Sequence, residues 1–157
     1  PEHRQAVNLV AFGNRLDSIG RHEEALEFYV KGLSISEQAS GTTNIMTLEL
    51  RWRAARQLRL LSRLDEAEII CRGLDDPTGL PPSLHASFLA KELAEIQIAK
   101  GRFDDAAAAF QRAWSHMPAQ IPTQPTARAD LAERIAAFHE ERGNADEAAN
   151  WRRQLTE

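Results

Sequence analysis

Apolar residues recur at three- and four-residue intervals along most of the chain, and four short polar turns interrupt them. Phe12 and Leu16, Leu58 and Leu61, Leu93 and Ile96, and Ile135 and Phe138 form one series of stripes. Tyr29, Phe110 and Trp151 place aromatics on the stretches that follow. This is the period of amphipathic helices, and these residues are the expected interhelix core. Each interruption carries a helix stop and a helix start. Gly20, Gly101 and Gly143, with Ser62 in the second turn, stand where a left-handed residue ends a helix. The acid pairs Glu23 and Glu24, Asp65 and Glu66, Asp104 and Asp105, and Asp146 and Glu147 follow, at the positive end of the next helix dipole. Ala25, Ala67, Ala106 and Ala148 come next, small residues suited to a close crossing of two helices.

The pattern predicts eight helices, over 4–19, 23–39, 44–62, 65–74, 83–100, 104–116, 126–142 and 146–155, and hence an all-α chain. Linkers fall at 41–44, 75–82 and 117–126, and a break near Pro77 is expected to bend the stack locally. The four alanines are separated by 42, 39 and 42 residues, a period that identifies stacked helical hairpins. The expected array spans 1–157, with units at 1–41, 42–81, 82–122 and 123–157. Each unit touches its neighbours only, so the core is elongated.

Composition narrows the function. A net charge of −4 and a pI near 5.8 argue against a general polyanion binder, so no nucleic acid is expected as partner. Cys71 has no second cysteine to pair with and reads as a buried structural thiol. A secretory segment and an apolar run of membrane-spanning length are both missing from the sequence, which points to the cytoplasm and to no membrane partner. The excess of arginine over lysine and the abundance of alanine suit a bacterium with a GC-rich genome. Pro1 in place of an initiator methionine reads as a fragment of a longer polypeptide. The five scattered histidines lack metal-ligand spacing, and the acid pairs, recurring in every unit, read as helix caps rather than catalytic dyads. The chain therefore reads as a binding protein, with no catalysis of its own and neither cofactor nor metal.

The order Leu9, Phe12, Gly13, Leu16, Gly20, Ala25, Tyr29 resembles the tetratricopeptide repeat, with its succession of large, small, large, turn glycine, small and aromatic residues. Leu93, Ala94, Gly101, Phe103, Ala106, Phe110, Ala113 and Pro118 repeat that order. The second unit departs from it at Arg51 and Ser62, and the fourth carries Arg152 at the aromatic position with Trp151 one place earlier. The period exceeds the family's usual value of about 34 residues. It is similar to the longer variant found in kinesin light chains and bacterial signalling proteins. The resemblance implies a right-handed α-solenoid of four hairpins that binds a peptide or protein segment in a concave groove lined by the first helix of each repeat.

Residues expected to face that groove are Val7, Val10, Asn14 and Asp17, then Glu49, Trp52, Arg56, Arg59 and Arg63. Phe88, Lys91, Glu95 and Ile98 follow from the third unit, and Asp130, Glu133, Ala137 and Glu140 from the fourth. Trp52, Arg56 and Arg59 stack along one helix beside Phe88 and Lys91. With Asn14 these are the candidate partner-binding residues. Trp and Arg are enriched at binding hot spots, and guanidinium groups suit an acidic or C-terminal peptide. The competing reading makes the arginines a solvated face and Trp52 a filler between repeats. Two further expectations concern the ends. Ala6, Val7, Leu9, Val10, Ala11 and Phe12 are apolar nearly all round their helix, so an upstream domain or a second copy in a homodimer is expected to cover it. Trp151 and Leu155 face inward beside polar neighbours, as in a terminal repeat. The run 143–152 also resembles the ends of repeat tails on bacterial serine/threonine kinases. That likeness implies, as the alternative function, a regulatory or sensory tail of a signalling enzyme or transcriptional regulator.

Overall fold

The computed structural model describes residues 2–72, 82–121 and 123–154. Among them the chain forms eight helices and no strand: α1 (Glu2–Ser18), α2 (His22–Ser40), α3 (Ile45–Leu60), α4 (Leu64–Arg72), α5 (Leu84–Ala99), α6 (Phe103–His116), α7 (Ala127–Glu141) and α8 (Ala145–Arg153). All eight expected helices are present, and the ends that can be compared are displaced by no more than two residues, while the expected ends at 74 and 155 lie outside the described residues. The break expected near Pro77 and the inward face expected of Leu155 lie outside the described residues. Helices pack in pairs, α1 on α2, α3 on α4, α5 on α6 and α7 on α8, and each second helix also packs on the first helix of the next pair.

All four turns are closed by the same hydrogen bonds. The N–H groups of Arg21, Arg63, Arg102 and Asn144 donate to the carbonyls of Leu16, Leu58, Gln97 and His139 at 2.8–2.9 Å. The residue before each donates to a carbonyl three positions back, which completes a Schellman motif. That geometry requires positive φ, and Gly20, Ser62, Gly101 and Gly143 have φ of 76°, 60°, 72° and 76°. Ser62 adopts it with a Cβ, at a cost of roughly 1–2 kcal/mol. Ser62→Gly is therefore expected to stabilise the fold by about 1 kcal/mol, and Gly101→Ala to destabilise it by about as much. A Cβ at Gly101 would meet nothing within 4 Å, so the penalty is conformational rather than steric. Urea unfolding of the two variants checks both signs.

The crossing alanines are sealed, with Ala25, Ala67 and Ala106 at 0% exposure and Ala148 at 1%. Tyr29, Phe110 and Trp151 are buried beside them, and Cys71 takes the corresponding place in the second hairpin. Burial, with Glu92 nearby, pushes the Cys71 thiol far above its ordinary range. Arg51, where the repeat pattern calls for an apolar residue, is buried too. Its guanidinium donates to Glu37 Oε1 at 2.5 and 3.1 Å and to the Ile70 carbonyl at 3.5 Å, tying α3 to α2 and α4.

Two assignments on α1 are corrected. Phe12, expected in the core, is 54% exposed and leans on Phe28 at 5.8 Å, whereas Val10, expected in the groove, is 7% exposed. The smallest side chains decide which side of α1 meets α2. Ala6, Val10 and Gly13 make the buried stripe, and Gly13 leaves room for the Tyr29 ring.

Candidate functional site

The first helices of successive hairpins are joined by ion pairs. Arg56 Nη1 on α3 donates to Asp17 Oδ2 on α1 at 2.9 Å, and Arg59 Nε donates to Glu92 Oε2 on α5 at 2.9 Å. Arg134 on α7 grips Glu95 on α5 through two bonds of 2.6 and 2.8 Å. A chain of charges thus runs from α1 to α7. Partly buried at each link, it fixes the relative placement of the helices. In the fourth hairpin Arg152 on α8 reaches back to Glu133 at 3.1 Å and to Glu140 at 3.0 Å, so these expected groove acids are neutralised from within.

Arg56 and Arg59, expected in the groove, therefore hold the scaffold. One nitrogen of each is bonded, and the others have no partner among the described residues. Trp52 meets Phe88 edge to face, with centroids 5.3 Å apart. The Arg53 guanidinium stacks 4.5 Å from the Trp52 ring and is held by Glu49 at 2.9 and 3.0 Å. The indole Nε1 is buried with no acceptor among the described residues. Burial lowers the pKa of nearby His85, opposed by Glu49, so its imidazole favours the neutral form.

Phe88 and Lys91 open onto a cleft of about 430 Å³, closed on the far side by 123–127 and by Asp130 and Leu131 of α7. Asp130 accepts from Thr126 Oγ1 at 3.0 Å. Lys91 carries no hydrogen bond or ion pair with any described residue. Trp52, Phe88 and Lys91 thus come together, flanked along α3 by Arg56 and Arg59. Asn14 stands apart on α1, where its Oδ1 accepts from Tyr29 OH at 2.8 Å. Arg63 belongs to the second turn rather than the inner face and pairs with Glu66 at 2.6 and 2.7 Å. Reading the sequence missed Arg53 and Arg134. The i, i+4 spacing of Glu49 and Arg53 was a usable signal for the first, while Arg134 lies 39 residues from Glu95 and had none so local.

Among the described residues no group of three His, Cys, Asp or Glu side chains is placed to hold a metal, and no helix is long and apolar enough to cross a membrane.

Solved structures share this architecture. A kinesin-light-chain-like protein from Podosopora anserina with nearly identical TPR-like repeats superposes with a TM-score of 0.78 at 16% identity, over 99% of this chain and 74% of that one. The fold is a tetratricopeptide-type solenoid. BtubC from P. vanneervenii shares the solenoid with a TM-score of 0.72 at 16% identity, over 99% of this chain and 63% of its own. MamA shares it with a TM-score of 0.63 at 17% identity, over 94% of this chain and 74% of its own. No family model matches the chain, and no curated protein matches its sequence. The tetratricopeptide-type solenoid places α1, α3, α5 and α7 side by side, so the ion-pair chain and the cleft at Phe88 lie along one continuous set of helices.

Proposed function

We propose that this solenoid is a protein-interaction module that holds a peptide or protein segment along the first helices, with Trp52, Phe88 and Lys91 as its centre. The observation that carries this reading is the cleft beside Phe88 and Lys91: an apolar ring and an ammonium group that pairs with no described carboxylate line one opening, with Asp130 on its far side. Arg56 and Arg59 extend the basic character along α3 through their unbonded nitrogens, while Asn14 marks the α1 end of the same face. The preferred segment offers an apolar side chain to Phe88 and an acceptor to Lys91. The module works in the cytoplasm without chemistry of its own.

The test is affinity capture from a cytoplasmic extract with the intact chain and a Phe88→Ala, Lys91→Ala variant of equal helicity. A protein retained by the first and reduced about tenfold or more on the second is the expected result, a loss of about 1.4 kcal/mol. Equal retention by both removes the cleft from the binding face.

A further inference from the structure

Most charged residues expected along the groove are satisfied by partners inside the chain. From Asp17 on α1 to Glu140 on α7 they form ion pairs, with two exceptions among the described residues, Lys91 and Asp130. These two carry opposite signs and line the same cleft. They also share the register of the neighbouring pair. Glu95 on α5 and Arg134 on α7 are joined at 2.6 and 2.8 Å, and Lys91 and Asp130 stand about one turn earlier on the same two helices. One rung between α5 and α7 is thus closed. The rung before it, with acid and base exchanged, stands open across the cleft.

Local roles do not account for both charges. Asp130 lies in the first turn of α7, where the helix dipole favours an acid, and it accepts from Thr126 Oγ1 at 3.0 Å. Lys91 has no such role. It sits half-buried at the middle of α5, away from the carbonyl end that favours a cation. The acid one turn further on, Glu95, is occupied by Arg134 through both carboxylate oxygens. A partly desolvated ammonium group in this position favours an incoming anion. Phe88, Pro125, Ala127 and Leu131 supply apolar lining to the same cleft.

We infer that the cleft selects a dipolar segment, an apolar side chain flanked by an acid and a base, with the acid drawn to Lys91 on α5 and the base to Asp130 on α7. The inference rests on the proposed seating of a segment at this cleft and adds a cation to what that segment must carry. A wholly acidic segment is held by Lys91 but repelled by Asp130, and a wholly basic one meets the reverse, so the two charges together set specificity.

NMR titration of the 15N-labelled chain reads this with synthetic heptapeptides, each with leucine at its centre. The leucine is flanked by aspartate and lysine in either order, by two aspartates, by two lysines or by two serines. At low salt a dipolar peptide should shift the amide signals of Phe88 and Lys91 and bind about threefold or more tighter than the other three kinds. Lys91→Glu should transfer the preference to the lysine peptide, and Asp130→Lys to the aspartate peptide. Asp130→Asn, which keeps an acceptor for Thr126, should remove the penalty against the aspartate peptide without loss of helicity. A uniformly charged or serine-flanked peptide that binds at Phe88 as tightly as the dipolar ones, or a preference unchanged in all three variants, would overturn the inference and leave the interaction module standing. No shift at Phe88 with any peptide would overturn both.

Discussion

Replacing Glu68 with alanine should cost about 3 kcal/mol or more of stability, among the largest penalties of any single polar substitution in this chain. Glu68 is 5% exposed on α4 and gathers four donors. Lys100 Nζ binds it at 2.5 Å, Arg72 Nη2 at 2.8 Å, Arg102 Nη1 at 3.1 Å and Gln97 Nε2 at 3.2 Å. Three of them come from the end of α5 and the turn after it, so this one carboxylate fastens the second hairpin to the third. Removing it leaves Gln97 buried without its acceptor and three cations facing one another. Burial alone would raise the Glu68 pKa, but the hydrogen bonds from Lys100, Gln97 and Arg72 outweigh it and hold the group at about 2. The sign of the pH dependence follows. A folded-state pKa below the ordinary 4.5 contributes stability above about pH 4.5, and that stability is lost as the pH falls towards 2. Denaturant unfolding at pH 7 should show the full loss for Glu68→Ala, and the gap between variant and parent should narrow steadily below pH 4.5. A gap that stays constant down to pH 2.5 would show that Glu68 does not act through its charge.

The hairpins were legible in the sequence because their determinants are local. A turn residue with positive φ, an acid pair and a small alanine each act within a few residues, and all recur in register. The identity of the buried stripe on α1 was not legible. That helix is apolar around most of its circumference, so periodicity alone could not choose between Phe12 and Val10. The choice falls to α2, whose Tyr29 needs the gap at Gly13 and draws Val10 inward with it. The candidate site was legible as a set of residue types but not as a set of roles. Asp17 and Arg56 lie 39 residues apart, as do Glu95 and Arg134, while Arg59 and Glu92 lie 33 apart. The two separations of 39 are close to one repeat. Sliding the sequence along itself by one period would have suggested those two pairs, whereas reading each helix alone shows only an arginine stripe. The pairing changes what the stripe means: Arg56 and Arg59 align neighbouring helices, and only their remaining nitrogens are left without a partner among the described residues.

Tyr29→Ala should be as damaging as the loss of Glu68, at about 3–5 kcal/mol, because a fully buried aromatic leaves a cavity that two close helices fill poorly. Tyr29 is 0% exposed, and its ring lies against the Cα of Gly13 so tightly that a Cβ there would sit 2.5 Å from Cε1. Gly13→Ala should therefore overpack the same contact and cost about 1–3 kcal/mol. The two losses share one cause, so they should not add. Combining Gly13→Ala with Tyr29→Leu, which trades the ring for a shorter side chain, should recover part of both penalties, with a coupling of about 1 kcal/mol or more in a double-mutant cycle. Additive losses would mean that the close approach of α1 and α2 does not depend on this pair. Tyr29→Phe isolates the hydroxyl. It keeps the ring but leaves Asn14 Oδ1 without its donor, and should cost about 1 kcal/mol. The same substitution frees the Asn14 side chain to turn. If Asn14 contacts a bound segment, Tyr29→Phe should weaken binding by more than its effect on folding explains, which comparison with Asn14→Ala on the captured partner would show.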